Sequence, residues 1–472
     1  YGDIKVWPLI RQAIWQQVCD PKNILMKGNK FLNQMKMSLR PFKDQILNLK
    51  APYSQSEQQL KLRKISPVEI VFFSRAEDHT DFINGKLINR HLDPIIQITE
   101  LIGNINYLKL EAVTKTNFPQ TKPRFRSTQF LRLFLQPSKL LHIENFQPFK
   151  KLVSEISNIN LREDFFVLQL SRLQQYQQFY VETLNILKPK QVILVCYYYL
   201  QAMALISACK QLKIKTIDVQ HGKQGKYHGM YTHWTKIPKD GYQLLPDFFW
   251  CWGQESKENI AKWYPKNCQH HQPIIGGNCW LGHWIHGEGY SLNSESHHFV
   301  SELTEYQQVI LTTLQPFKKI SEIIPKFLIE AMLQAPSNWI WLIRLHPHQR
   351  NRLEEIRDYL SRSGTKNFEL DQATYLPLYL LLRYSHRHIT CWSSVCYEAL
   401  LFRVSTIIIH STGLELYQEY INEKKFSYAE TASELLNHLN QKVNLNLLRE
   451  EPPYIETDLE LVKNTISYLL NQ

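Results

Sequence analysis

Three short segments combine residue types able to grip or react with an anionic group. The first is Trp339–Arg350, WIWLIRLHPHQR. Its apolar run predicts a strand over Trp339–His346, which Pro347 stops because a proline cannot donate to a ladder. Residues two apart on a strand share a face, so Arg344 and His346 are expected to meet at the carboxyl edge. A guanidinium beside an imidazole suits a phosphate or carboxylate. The plainer account is a strand-end histidine held by a backbone carbonyl.

The second segment, His388–Leu400 (HITCWSSVCYEAL), predicts strand, tight turn and helix, with Ser393 and Ser394 at the helix start. Free amides and the positive end of the helix dipole favour an anion there, and the hydroxyls add donors. Glu398 follows Ser394 by four residues, one more than a capping box uses. That spacing puts it one turn deeper on the same face, where it suits hydrogen bonds from a ribose; a surface carboxylate is the simpler alternative.

The third segment, Thr216–Gly229 (TIDVQHGKQGKYHG), is a strand opening into a loop with glycines at 222, 225 and 229 and lysines at 223 and 226. It lacks the Walker order of glycines and lysine. It sets Asp218, Gln220, His221, Gly222 and Lys223 at a strand's carboxyl end, with Asp218 or His221 placed to act as general base or nucleophile. Asp78, within Glu77-Asp78-His79, is the reserve carboxylate.

No D-x-D triplet is present to hold a divalent cation on a diphosphate, so no metal is expected. Cys268, His270, His271, Cys279, His283 and His286 crowd one region, but at spacings that fit no usual zinc framework. No G-x-S-x-G elbow marks a serine hydrolase.

The elements that must position these segments alternate along a chain of 472 residues, a length that implies two domains. The first sixty residues read as amphipathic helix, and Ile143–Leu187 as a long, mostly helical tract. Strands are expected at Val68–Ser74, Tyr107–Ala112, Val192–Cys196, Lys215–Val219 and Phe248–Trp252. After a polar stretch the alternation resumes at Val309–Leu314, Trp339–His346, His388–Cys391 and Ser405–Ile409. These strands are continuous apolar runs, as in sheets covered by helices on both faces. The expected fold is therefore α/β, with two doubly wound domains facing across a cleft and ligands at the carboxyl ends of the strands. The expected division is residues 1–285, a linker at 286–305, and residues 306–472. The uncharged run Gln191–Cys209 divides better into a strand and an Ala-rich helix than it forms a membrane span.

The net charge of +12 is concentrated early. Pro21–Lys64 holds ten Lys/Arg against two acids, and Val113–Ile143 holds six bases and no acid. Such stretches suit anionic phospholipid headgroups or a lipid-diphosphate acceptor, giving peripheral contact with a membrane. They lack the interleaved stacking aromatics of a nucleic-acid binder, so no nucleic acid is expected. The eight cysteines are scattered with no C-x-x-C pair, as in a reducing compartment.

Taken together, the Gln-His-Gly turn at 220–222 and the His346-Pro347 step resemble those of bacterial capsule and lipopolysaccharide glycosyltransferases. The Kdo (3-deoxy-manno-octulosonic acid) transferases are most similar and the bacterial sialyltransferases more distantly so. Val6–Arg11 (VWPLIR), Ile83–Pro94 (INGKLINRHLDP) and Pro246–Gly253 look like such proteins too, so the resemblance spans most of the chain. It implies the GT-B architecture and a metal-independent transferase without cofactor. Such an enzyme would move Kdo or a related acidic sugar from a cytidine monophosphate (CMP) donor to a surface polysaccharide or glycolipid. It would work in the cytoplasm at the inner face of the membrane. It implies that His346, Ser393 and Ser394 bind the donor phosphate, and that Gln220, His221 and Gly222 line the acceptor side. The sialyltransferases' acidic Asp-(Asp/Glu)-Gly motif has no clear counterpart here. A non-hydrolysing nucleotide-sugar epimerase and a basic nucleic-acid-binding protein are the rival readings.

Overall fold

The computed structural model describes residues 5–19, 62–75, 78–79, 81–83, 86–112, 128–131, 143, 145–157, 160–222, 224, 228–263, 269–286, 294–448 and 454–472. Most of Pro21–Lys64 and of Val113–Ile143, together with Lys223 and Cys268, lie outside the described residues.

In chain order the strands are β1 (Ile70–Arg75), β2 (Asp81–Ile83), β3 (Lys86–Ile88), β4 (Tyr107–Ala112), β5 (Thr128–Leu131), β6 (Gln191–Val195), β7 (Lys215–Val219), β8 (Phe248–Cys251) and β9 (Gln272–Ile275). They continue with β10 (Gln308–Thr313), β11 (Trp339–Arg344), β12 (Phe368–Glu369), β13 (Arg387–Thr390), β14 (Ser405–Ile408) and β15 (Phe426–Tyr428). The chain forms two compact units. Unit 1 holds Tyr1–Asp78, His91–Gly276 and Lys463–Gln472; unit 2 holds His79–Arg90 and Gly277–Val462.

In unit 1 a parallel seven-stranded sheet runs β5-β4-β1-β6-β7-β8-β9. In unit 2 a parallel six-stranded sheet runs β12-β11-β10-β13-β14-β15. Each is doubly wound: the chain builds outward from one strand, then returns to build outward on its other side. The direction reverses between β1 and β6 in unit 1 and between β10 and β13 in unit 2. At such a switch point neighbouring loops part and leave a crevice at the carboxyl ends.

Burial explains why these runs fold as strands. Ile70 to Phe73, Val192 to Val195 and Val309 to Leu311 are all enclosed. At about 25 cal/mol per Å² of apolar surface removed from water, covering both faces is what makes continuous Val/Ile/Leu/Phe runs stable there. The uncharged stretch resolves into β6 and the helix Leu200–Gln211. Among the described residues no helix is long and apolar enough to cross a membrane.

The division of the chain differs from the sequence expectation. The units part at Gly276–Gly277, ahead of the supposed linker, and Ser294–Leu303 within that linker is helix. Lys463–Gln472 packs with unit 1, where the Leu469 carbonyl accepts from the Gln191 side-chain amide. A sequence pattern ranks local polarity and carries no record of which distant sheet a terminal helix covers. Between β10 and β11 the chain forms two helices, Ile320–Ile323 and Lys326–Gln334, separated at Pro325. A proline inside a helix removes a backbone hydrogen bond and clashes with the preceding turn.

Candidate functional site

In unit 2 the segments picked out by sequence gather at the carboxyl ends around the switch point. β11 ends at Arg344, two residues short of the expectation, and His346 caps the 3-10 helix Pro347–Arg352. The Arg344 guanidinium does not join His346. Its Nη1 donates to the carbonyls of Ala373 and Leu376, both at 2.7 Å, which ties down the C-terminal end of the short helix Asp371–Tyr375. Arg344 is thus a scaffold residue, because two buried carbonyls satisfy it more cheaply than an open edge would.

His346 is half-buried and remains a candidate hydrogen-bond donor. Its Nδ1 accepts from the His348 N–H at 3.2 Å, so the neutral ring carries its hydrogen on Nε2 as a donor. Burial, then His348, Arg350 and Arg90, lower its pKa to about 4, so the ring is neutral at pH 7. Arg90 reaches this part of unit 2 from the segment before β4.

The turn after β13 is held just as closely. Ser393 N–H donates to Thr390 Oγ1 at 3.3 Å, and the Ser393 hydroxyl accepts from the Val395 N–H at 3.3 Å. Ser394 is the N-cap of Val395–Leu401, a helix of seven residues, and its side chain makes no cap bond. The Tyr417 hydroxyl donates towards the carbonyls of Trp392 and Ser393 at 3.0 and 3.1 Å. Glu398 is only 6% exposed and accepts from the Tyr379 hydroxyl at 3.0 Å. Glu398 thus lies within the packing of unit 2, beside Tyr379.

Three half-buried rings absent from the sequence reading lie between these turns. Phe317 (after β10), Trp392 (after β13) and His410 (after β14) contact one another, with centroids 4.9, 5.5 and 4.8 Å apart. The Gln349 amide and the Arg352 guanidinium donate to the Phe317 carbonyl at 2.6 and 3.1 Å, joining the His346 turn to this cluster. Aromatic rings at a strand's carboxyl edge form a surface on which a planar ring can stack.

In unit 1 the two carboxylate candidates are committed elsewhere. Asp218, on β7 between β6 and β8, is fully buried and accepts from the Tyr197 N–H at 3.0 Å and the Tyr231 hydroxyl at 2.8 Å. Burial raises its pKa to about 8, with the hydrogen bonds opposing. An enclosed carboxyl cannot touch a substrate; Asp218 instead joins the 197 turn to the 231 turn. Asp78 accepts the Arg75 Nε and Nη2 at 3.0 and 2.6 Å and the Arg75 backbone N–H at 2.9 Å. Arg75 in turn lies over the Tyr199 ring, 4.9 Å from its centroid.

Gln220 is also structural: its amide donates to the Gly222 carbonyl and the Ser256 hydroxyl, and its oxygen accepts from the Trp252 N–H at 2.7 Å. It stitches β7 to the end of β8. Among the described residues none stands within 4 Å of where a Cβ on Gly222 would lie.

His221 sits in a cluster of rings at the carboxyl edge. Its Nε2 lies 3.1 Å from the Tyr198 hydroxyl, which is 3.5 Å from His228 Nε2, and its ring meets His91 edge-on. The turn that aims these tyrosines begins at Cys196, held at φ 64. Such left-handed backbone is uncommon outside glycine. The sequence offered a signal for this cluster, three consecutive tyrosines directly after β6, but none for Arg90 in unit 2, some 250 residues from His346.

Among the described residues no group of three or more His, Cys, Asp or Glu is arranged to hold a metal ion. His270 and His271 belong to the packing of unit 1: His271 Nε2 accepts from the Tyr242 N–H at 2.9 Å.

Two doubly wound parallel units in series define the GT-B type of fold. The same fold is found in UDP-GlcNAc 2-epimerase from Methanocaldococcus jannaschii, at TM-score 0.52 and 13% identity, covering 86% of this chain and 100% of that one. The Neisseria meningitidis UDP-GlcNAc 2-epimerase bound to UDP-GlcNAc is similar over the same shares, at TM-score 0.53 and 15% identity. S. aureus MnaA with UDP follows at TM-score 0.51 and 14% identity, covering 86% and 97%. At these identities the likeness establishes the fold. No protein-family model and no curated protein sequence matches the chain.

Proposed function

We propose that the chain is a nucleotide-sugar enzyme whose unit 2 binds the nucleotide, and that it transfers a sugar without a metal ion. The observation that carries this reading is the convergence at the β10/β13 switch point. The turn of the neutral His346 is joined to Phe317 by the Gln349 hydrogen bond, and Phe317 meets His410 and Trp392, the residue before the Ser393-Ser394 turn, through ring contacts. A phosphate suits the imidazole and hydroxyl donors, and a base suits the rings. In unit 1 His221, beside the Tyr198 hydroxyl, is a candidate for proton chemistry, whereas Asp218 and Asp78 are committed to Tyr231 and Arg75. The acidic sugar and CMP donor follow from the resemblance of the Gln-His-Gly and His-Pro motifs.

The fold likeness to UDP-GlcNAc 2-epimerases favours a second reading, epimerisation of a UDP-sugar. One experiment separates them. Thermal shifts are measured with CMP, UDP and GDP, since a ligand at 100 times its dissociation constant stabilises by about 2.7 kcal/mol. The protein is then incubated with CMP- and UDP-sugars in excess EDTA. Stabilisation by CMP and release of CMP in the presence of a glycan acceptor support transfer. UDP binding with interconversion of UDP-sugar epimers establishes the rival reading. No nucleotide binding, or turnover lost to EDTA and restored by Mn²⁺, refutes the proposal.

A further inference from the structure

Four polar side chains lie inside the sheet of unit 2. Thr313 on β10, His388 and Thr390 on β13 and Thr406 on β14 are all buried, on strands whose other enclosed residues include Val309, Ile310, Leu311, Ile389 and Ile407. In the parallel register His388 stands opposite Leu311 and Thr406, and Thr390 opposite Thr313, so the four share one face. Burying a polar group costs free energy unless it is hydrogen-bonded. His388 meets that condition at both nitrogens: Nε2 lies 2.9 Å from Thr313 Oγ1, and Nδ1 lies 3.0 Å from Thr406 Oγ1. Burial lowers its pKa to about 3, so the ring is neutral, with one nitrogen to donate and one to accept. A threonine hydroxyl does either, so both nitrogens are satisfied whichever carries the hydrogen. His388 thereby pins β13 to both of its neighbours in the sheet.

Thr390 carries that register to the carboxyl edge. Its hydroxyl donates to the Thr313 carbonyl at 3.1 Å and accepts from the Ser393 N–H at 3.3 Å. On the other side of the turn, the Tyr417 hydroxyl reaches the carbonyls of Trp392 and Ser393. The turn is therefore fixed through its backbone. The half-buried Ser393 hydroxyl accepts from the Val395 N–H at 3.3 Å and has its own hydrogen to give to an anion. An apolar row would fill this face without the cost of burying polar groups, but it would offer the Ser393 N–H no acceptor.

We propose that Thr390 and His388 are positioning residues that tie the Ser393 turn to β10, so that the Ser393 hydroxyl meets a nucleotide's phosphate from a fixed place. The use made of the turn rests on the nucleotide reading above; its tie to β10 does not.

Hydrogen exchange of the full chain without ligand, read by mass spectrometry, tests the tie. Thr390→Val keeps the branched shape and removes the hydroxyl. It should speed exchange in a peptide covering 391–396 about 5- to 10-fold, the loss expected for one hydrogen bond, while peptides covering β10 and β14 keep the wild-type rate. Thr390→Ser, which retains the hydroxyl, should keep the protection. His388→Leu should loosen the same peptide; should it fail to fold, the two Thr390 variants carry the comparison. Calorimetric titration with CMP, UDP and their nucleosides then tests the use. In Thr390→Val, affinity for the nucleotide that the wild type binds should fall about 5- to 10-fold with nucleoside affinity unchanged, because the lost placement concerns the phosphate alone. Unchanged exchange at 391–396 in Thr390→Val, a rise spread equally over β10, β13 and β14, or an equal loss of nucleotide and nucleoside affinity overturns the proposal. So does a Thr390→Ser chain that behaves like Thr390→Val. The expected exchange in a chain that binds neither CMP nor UDP would count against the nucleotide reading alone.

Discussion

Replacing Asp218 by Asn should abolish a pH dependence of stability that the wild-type chain carries. Asp218 is fully buried on β7, and enclosure raises its pKa from 3.8 to about 8. Between those values the unfolded chain is ionised while the folded chain holds the proton. The folded state then binds more protons, so stability falls as pH rises through the window and is greatest below 3.8. One pH unit is worth about 1.4 kcal/mol for a single proton, so the cost at pH 7 is on the order of 4 kcal/mol relative to pH 3.8. Asparagine has nearly the same shape, can accept from the Tyr197 N–H and can donate to the Tyr231 oxygen, but does not titrate. Urea unfolding of both proteins, followed by near-ultraviolet circular dichroism, gives the stability difference at pH 5 and pH 7. The variant should gain on the wild type by about 3 kcal/mol between the two, while all other groups cancel. A difference that stays flat from pH 5 to 7 would show an Asp218 ionised throughout and refute the reasoning.

His346→Ala removes a donor worth about 1.5–3 kcal/mol to a charged phosphate, so nucleotide affinity should weaken on the order of 10- to 100-fold with little change in melting temperature. Unchanged affinity, measured by calorimetry, would remove His346 from the site. Gly413→Ala places a Cβ 1.9 Å from the Cys391 carbonyl oxygen and 2.6 Å from Ile408. It should cost about 1–3 kcal/mol and loosen the turn that carries Ser393, seen as a lower melting temperature together with weaker nucleotide binding. A variant as stable as the wild type would show that this contact yields freely.

The sequence by itself determined the class of fold and marked the segments that carry the candidate site residues. Continuous apolar runs such as Val192–Val195 and Val309–Leu311 can be stable only when both faces are covered, which dictates parallel strands alternating with helices. Turn residues then fall at the carboxyl ends, and the segments holding His346, Ser393 and His221 were legible for that reason. Tertiary structure alone decided what each side chain does there. Arg344 and Glu398 carry charges that suggest ligands, yet the helix-end carbonyls of Ala373 and Leu376 hold the first and the Tyr379 hydroxyl meets the second. Asp218 is acidic at a strand end, but its strand lies between two others and its carboxyl is sealed. Phe317, Trp392 and His410 are separated by 75 and 18 residues, and meet only because β10, β13 and β14 are neighbours in the sheet. A sequence states which groups are available; whether a polar group faces a ligand or a carbonyl depends on strand order, which distant pairings set.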